Sequence, residues 1–120
     1  MLPVVRNIEI YQGDTFEIFF RLRVLNPDES PGAYIDLTGC TPKAQIRTAP
    51  GASGSPLAEF DASLGNQATY PGSVLLELDA ADSAGLSVNG AWDCQLTLPS
   101  GKIRTYVAGT VTLIKEVTKP

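Results

Sequence analysis

The sequence predicts an all-β fold, a β-sandwich of about seven antiparallel strands with one short helix. Charged residues make up only 18% of the 120 residues, whereas 11 glycines and 9 prolines supply many turn formers. Several segments between these turns are rich in Val, Ile, Thr and aromatic residues, which favour strands. One segment near the end of the chain alternates strictly between apolar and polar residues, as a strand with one buried face does.

This alternating segment is the clearest strand in the sequence. Its even-numbered residues are apolar and its odd-numbered residues are polar: Trp92, Cys94, Leu96 and Leu98 against Asp93, Gln95 and Thr97. A turn follows at residues 99–102, where proline presets one backbone angle and glycine adopts an angle that other residues resist. A long second arm, residues 103–117, is again rich in Val, Ile, Thr and Tyr. We predict a β-hairpin from these two arms.

The first part of the chain predicts a short edge strand and a long strand. The edge strand covers residues 7–11, and a tight turn at residues 12–14 leads to the long strand at residues 16–24. The face expected to be buried comprises Phe16, Ile18, Phe20, Leu22 and Val24. The opposite face carries Glu17, Phe19, Arg21 and Arg23. Because Phe19 is apolar on a wet face, it covers either a second layer or a partner.

The middle of the chain predicts three more strands. The expected segments are a loop at 26–33, a half-buried strand at 42–48, a hairpin loop at 49–56, a short strand at 57–61, an irregular stretch at 64–72 and a strand at 73–78. Ala44 and Ile46 are expected to face the core. Asp36 and Thr38 are expected to bond local backbone and shape a turn.

The only helical signal lies at residues 79–86. Asp79 is a favoured N-cap residue, Asp82 suits the first turn, and Gly85 ends the helix. The two aspartates, three residues apart, could instead hold Ca²⁺. Calcium needs six to eight oxygen ligands, and no Asp-x-Asp-x-Asp loop is present, so helix capping is the favoured interpretation.

Length and charge bound the domain count and the classes of partner. A chain of 120 residues fits one domain, residues 1–120, with residues 1–10 as an N-terminal arm or edge strand and residues 117–120 as a tail. The net charge is −4 and no run of Lys or Arg occurs, whereas nucleic-acid binders concentrate basic residues. No apolar run is long enough to span a bilayer, and the first residues lack the layout of a signal peptide. We therefore expect no nucleic-acid or membrane partner, and a protein made in the cytoplasm.

The sequence carries no arrangement typical of catalysis. It has no histidine, which removes the commonest general base and a common metal ligand. Cys94 alternates into the core beside no cationic residue, and residues 100–102 form a turn rather than an activated Ser–Lys pair. Cys40 and Cys94 are too few for a zinc site, and two free thiols, one in the core, are favoured over a disulfide. We expect a non-enzymatic protein with no catalytic, cofactor-binding or metal-binding residues and no cofactor.

Two kinds of binding surface remain open. A sugar-stacking platform would use the aromatic residues Trp92, Tyr11, Tyr34, Tyr70 and Tyr106. Core packing is favoured for Trp92, however, because it shares a strand face with Cys94 and Leu96. A protein interface would use the candidate residues Phe19, Arg21, Arg23 and Tyr106.

The order of several short motifs resembles one family. Gln12-Gly13-Asp14 opens a long strand, Tyr34 to Cys40 precedes a second, Gly72 to Leu86 holds a strand and the helix, and Gly90 to Leu113 holds the hairpin. This order, over residues 8 to 117, resembles the immunoglobulin-like β-sandwich domain of tailed-phage structural proteins, including the N-terminal domain of baseplate upper proteins. The Cys…Trp…Cys spacing of antibody domains is absent.

The resemblance implies a bacteriophage virion structural protein: a tail, baseplate, neck or capsid-surface component. Such a protein is a homo-oligomer that packs against itself and other virion proteins, carries no cofactor, and is located in the virion after synthesis in the host cytoplasm. Because the sandwich ends the chain at Pro120, the expectation is a small adaptor, collar, cement or capsid decoration protein. The alternative is a carbohydrate- or cell-surface-binding β-sandwich module, and an enzyme fragment or inhibitor domain ranks last.

Overall fold

The structure is a computed structural model that describes residues 4–118. Within that range the fold is all-β, with eleven strands and one short helix. The strands are β1 (Val4–Val5), β2 (Ile8–Tyr11), β3 (Phe16–Arg21), β4 (Arg23–Leu25), β5 (Pro31–Tyr34), β6 (Thr41–Arg47), β7 (Ala58–Glu59), β8 (Asp61–Leu64), β9 (Ser73–Leu78), β10 (Gly90–Thr97) and β11 (Ile103–Ile114). The helix, α1, covers Ala80–Ala84.

The larger sheet has six strands and contains the predicted hairpin. Its order is β1-β11-β10-β6-β7, and β2 also pairs with β11. Strands β10 and β11 are antiparallel, as predicted, with a register shift beside Cys94. Strands β1 and β2 both run parallel to β11. Strands β1 and β2, within residues 4–11, therefore lie along the edge of the larger sheet. Residues 1–3 lie outside the described part of the chain.

The smaller sheet has three antiparallel strands in the order β3-β9-β8. A two-stranded hairpin of β4 and β5 continues from its end. Leu22 makes this connection, because its N–H donates to the carbonyl of Gly72 (2.8 Å) and its own carbonyl accepts from the N–H of Ile35 (3.0 Å). The chain thus exchanges β9 for β5 as its partner at a single residue.

The two sheets share one hydrophobic core, as a β-sandwich requires. Trp92 is 3% exposed, and its Nε1–H donates to the carbonyl of Arg6 at 2.8 Å. Phe60 meets the Trp92 ring edge-on at 6.0 Å between centroids. The other fully buried side chains include Ile10, Leu37, Ile46, Val74, Leu76, Leu78, Cys94, Leu96 and Val111. Core packing of Trp92 is therefore confirmed.

Several local predictions are also confirmed. Ala44 and Ile46 are each 1% exposed, and β9 has the predicted bounds. Asp79 caps α1, with its carboxylate accepting from the N–H of Asp82 at 2.8 Å.

Within residues 4–118, no group of three or more His, Cys, Asp or Glu side chains is placed to hold a metal ion. Over the same residues, no helix has the length and apolar character needed to cross a membrane.

The predictions for one long strand and for the loop after it are wrong. The long strand expected at residues 16–24 ends at Arg21, and Val24 is 48% exposed rather than buried, because the chain changes partner at Leu22. The loop expected at residues 26–33 contains the first part of β5.

The short strand expected at residues 57–61 is also wrong, because it is divided between the two sheets. Strand β7 belongs to the larger sheet and β8 to the smaller one. Phe60, which is 4% exposed, lies between them as the chain crosses the core. The count of strands exceeds seven for these reasons and because Val4–Val5 forms a separate strand, β1. The immunoglobulin-like strand arrangement stays a prediction.

Candidate protein-interaction surface

Two arginines and two tyrosines meet where β3 passes into the β4–β5 hairpin. The Cζ atom of Arg21 lies 3.5 Å from the centroid of the Tyr34 ring and 5.7 Å from that of Tyr70. The Cζ atom of Arg23 lies 4.5 Å from the Tyr34 centroid. Guanidinium groups are attracted to aromatic faces within about 6 Å. We call these four residues the arginine–tyrosine cluster.

Strand pairing places the members of this cluster together. Arg21 is opposite Ser73 on β9, and Arg23 is opposite Tyr34 on β5. Successive side chains of an extended chain point to opposite faces, so Arg21 and Arg23 share a face. Leu22 between them is 7% exposed and turns into the core.

Both guanidinium groups are held in place by backbone carbonyls. The Nε–H of Arg21 donates to Pro71 at 3.2 Å, and the Nε–H of Arg23 donates to Gly32 at 2.9 Å. An arginine has five N–H donors in a planar fork. In the described part of the chain, the terminal amino groups of these two arginines make no hydrogen bond. They are therefore oriented and available to an outside acceptor.

The loop that carries Tyr70 is ordered by the side chain of Gln67. Its Oε1 atom accepts from the N–H of Leu37 (3.0 Å) and the N–H of Gly72 (2.8 Å). Its Nε2 group donates to the carbonyls of Gly65 and Ser73, each at 3.1 Å. One amide thus joins the loop to the smaller sheet and to the segment before β6.

Phe19 extends the cluster along β3 as an apolar neighbour. It lies two residues before Arg21 on the same outer face and is 53% exposed. The residue that pairs with it on the neighbouring strand β9 is Leu75, which is half-buried. An exposed aromatic side chain beside an arginine cluster is a common composition at protein interfaces.

The four predicted interface residues do not all lie together. Arg21 and Arg23 converge on Tyr34, and Phe19 is next to them on β3. Tyr106 lies in the larger sheet at the register shift between β10 and β11, and its ring packs against the core. The sequence alone indicates Tyr34 and Tyr70 only as candidates for sugar stacking. Tyr70 comes directly before a Pro–Gly turn at residues 71–72, whereas Tyr34 reaches the arginines only through the pairing of β4 with β5, which no local pattern in the sequence indicates.

A broad groove of about 750 Å³ lies on the outer face of the larger sheet. Its polar lining includes Lys43, Gln45, Arg47 and Asp93. Burial raises the pKa of Asp93, and the nearby positive charge of Arg47 opposes that rise in part. Arg47 is itself engaged, since it donates to the carbonyl of Gly54 (2.6 Å) and to Oε1 of Gln45 (3.0 Å).

Both thiols are free, as expected, and Cys94 is buried in the core. Burial raises the pKa of Cys94 to about 12, and the charge of Asp93 adds to the rise. Burial also raises the pKa of Cys40, with a smaller contribution from Asp36. Because the thiolate is the nucleophilic form, neither cysteine is activated for chemistry at neutral pH.

Neither a comparison with protein-family models nor a search of curated proteins finds a match to this chain. Fold and site therefore define the protein by class: an all-β protein that presents an arginine–tyrosine cluster and an exposed phenylalanine on one face.

Proposed function

We propose that this chain is a non-enzymatic structural protein of a tailed-phage particle, and that it acts by packing against copies of itself and other virion proteins. The observation that carries the assembly role is the arginine–tyrosine cluster beside Phe19. Arg and Tyr are enriched among the residues that contribute most to binding between proteins. The resemblance of residues 8–117 to phage sandwich domains supplies the setting, a tail, baseplate, neck or capsid surface.

The order within the cluster supports this role energetically. Association loses side-chain entropy, at about 0.5–1.5 kcal/mol for each long side chain that becomes immobile. Arg21 and Arg23 are already held by the carbonyls of Pro71 and Gly32 and by stacking on Tyr34. Much of that cost is therefore met before binding. The free ends of the two guanidinium groups suit a carboxylate or a row of carbonyls on a partner.

The thiols support a role without catalysis. The pKa of Cys94 is about 12, so this thiol stays protonated over the physiological pH range. A nucleophilic cysteine needs the opposite shift, toward a lower pKa. Assembly through side-chain contacts requires no reactive group.

Co-sedimentation with purified particles tests the proposed function. Particles released from the host that expresses the chain are banded by density, and the chain is quantified by mass spectrometry. We expect it in the particle band at many copies per particle. The double variant Arg21→Ser, Arg23→Ser should fold but leave the band, whereas Arg104→Ser, an exposed arginine on β11, should remain in it. Absence of the wild-type chain from the band would overturn the proposal.

A carbohydrate-binding module is the second candidate, and the observation that favours it is the 54% exposure of Tyr70. Sugars stack on open aromatic faces, but Arg21 and Arg23 already lie over the ring of Tyr34. Trp92, the strongest stacking residue in the chain, is buried. Binding to a glycan array that Tyr70→Ala abolishes, together with absence from particles, would establish this alternative.

A further inference from the structure

We infer that the outer face of the smaller sheet is self-complementary and that a second copy of this chain binds it face to face about a twofold axis. The inference deepens the proposed function and rests on it, because it names the surface through which copies pack. It is carried by three rows of side chains of different chemistry: two rows cross strands β3, β9 and β8, and the third lies at the end of β3.

The first row is acidic. Glu17 on β3 pairs with Glu77 on β9, and Glu77 pairs with Asp61 on β8. Three carboxylates thus follow one another directly across the sheet. Like charges in opposite positions of neighbouring strands destabilise a sheet. A positive group laid over this row would remove that cost.

The second row is apolar or small. Phe19 is opposite Leu75, and Leu75 is opposite Ser63. Phe19 is 53% exposed, and Leu75 is half-buried. This row lies two residues from the acidic row along each strand, a distance of about 7 Å. It supplies the surface that a partner would exclude from water.

The third row is basic. Arg21 follows Phe19 by two residues on the same face, and Arg23 joins it at Tyr34. The position opposite Arg21 is Ser73, whose buried side chain presents no competing charge. The face therefore runs from negative through apolar to positive in the direction of β3.

This order of rows selects one geometry of self-association. A twofold axis along the central row reverses the strand direction, so the acidic row of each copy lies over the basic row of the other. Phe19 and Leu75 then face the same residues of the partner. An axis parallel to the strands would instead oppose acid to acid and base to base. With the axis along the central row, both copies use the same patch of surface, so the contact is isologous and the assembly closes as a dimer.

A second copy fits this face better than an unrelated partner, because the chain itself carries both halves of the charge pattern at matching spacing. The pattern predicts that opposite charges steer and orient the two copies. It also predicts that added salt weakens the dimer, since the charges lie at the surface.

Charge reversal at the two ends of the face tests the geometry. Sedimentation equilibrium of the wild-type chain at low salt should give a dimer. Arg21→Glu and Glu17→Arg should each weaken dimerisation, by on the order of tenfold or more, because Arg21 of one copy lies over Glu17 of the other and each change places like charges at both contacts. An equimolar mixture of the two variants should dimerise again. In the mixed dimer one contact joins the two new charges with opposite signs, and the other joins the unchanged Arg21 and Glu17.

Matched variants control for net charge and folding. Lys102→Glu in the exposed turn and Glu9→Arg on β2 make the same charge changes away from the face and should leave the dimer intact. Circular dichroism verifies that each variant is folded. If Glu17→Arg does not fold, Glu17→Lys, which makes the same charge reversal at this exposed position, replaces it.

Three results would overturn the inference: a wild-type monomer at low salt, variants that dimerise as the wild type does, or two folded variants whose mixture stays monomeric. None of these bears on whether the chain sediments with particles. Failure of the inference and failure of the proposed function are therefore distinguishable.

Discussion

Two aspartates of this chain have pKa values shifted in opposite directions by their surroundings. Asp36 accepts hydrogen bonds from the hydroxyl (2.6 Å) and the N–H (2.9 Å) of Thr38, which lower its pKa. Asp93 lies in the floor of a groove, where burial raises its pKa despite the charge of Arg47. The ionised form is thus favoured by folding at one position and opposed by it at the other.

Replacing each aspartate by asparagine should change thermal stability with opposite sign. Because the pKa of Asp93 is raised by folding, its favourable contribution to folding stability is present below the ordinary pKa of 3.8. That contribution is lost as pH rises through the folded-state pKa. Asp93→Asn should therefore raise Tm at pH 7 and leave it unchanged near pH 3. The measurement is a thermal melt at both pH values.

The matched control is Asp36→Asn. Because the pKa of Asp36 is lowered by folding, this residue contributes to folding stability above pH 3.8. The contribution is lost as pH falls through the folded-state pKa. This variant should lower Tm at pH 7, and the loss should fade at low pH. A Tm of Asp93→Asn at or below that of the wild type at pH 7 would contradict the explanation by burial.

At the scale of elements, hydrogen bonds from the loop before β9 determine where β3 ends. The loop before β9 is ordered by Gln67 and by Gly72, whose φ of +84° is a conformation that glycine adopts readily. A side chain at Gly72 would also collide with the carbonyl of Leu22. This close approach allows Leu22 to bond both Gly72 and Ile35.

Gln67→Ala should destabilise the protein by about 1–3 kcal/mol, because it leaves part-buried backbone groups of Leu37 and Gly72 without partners. Asn66→Ala is the control in the same loop. Its side chain accepts only from nearby exposed N–H groups, so its loss should cost about 1 kcal/mol or less. Urea denaturation measures both, and equal midpoints for the two variants would contradict the assigned role of Gln67.

At the scale of the whole molecule, the two sheets are joined by a core with Trp92 near its centre. The Trp92 ring packs against Phe60, and its N–H reaches the carbonyl of Arg6 just after β1. One side chain therefore joins the hairpin of the larger sheet to the segment that crosses between sheets and to the N-terminal edge.

Trp92→Ala should cost about 3–5 kcal/mol of unfolding free energy, since it removes a large buried side chain and leaves a cavity. Val117→Ala, at a residue that is 98% exposed, should change stability by less than about 0.5 kcal/mol. Chemical denaturation followed by circular dichroism gives both values. An unchanged midpoint for Trp92→Ala would show that the ring does not support the core.

The features that the sequence alone predicts are those that depend on near neighbours. The alternation from Trp92 to Leu96 predicts the buried face of β10, and Asp79 with Gly85 predicts both ends of α1. The turn at residues 99–102 predicts the hairpin. In each case the side-chain period or the cap lies within a few residues of the element that it determines.

Only the tertiary structure decides which strands pair, and at what register. Alternation predicts that Leu22 is buried, but not that it bonds Gly72 and Ile35 and so ends β3. The crossing of the chain at Phe60, the stacking of Arg21 and Arg23 on Tyr34, and the row of carboxylates at Glu17 likewise depend on strands distant in sequence. The physical reason is that a strand's period reports which face is buried, whereas its partner is set by hydrogen bonds and packing between segments far apart in the chain.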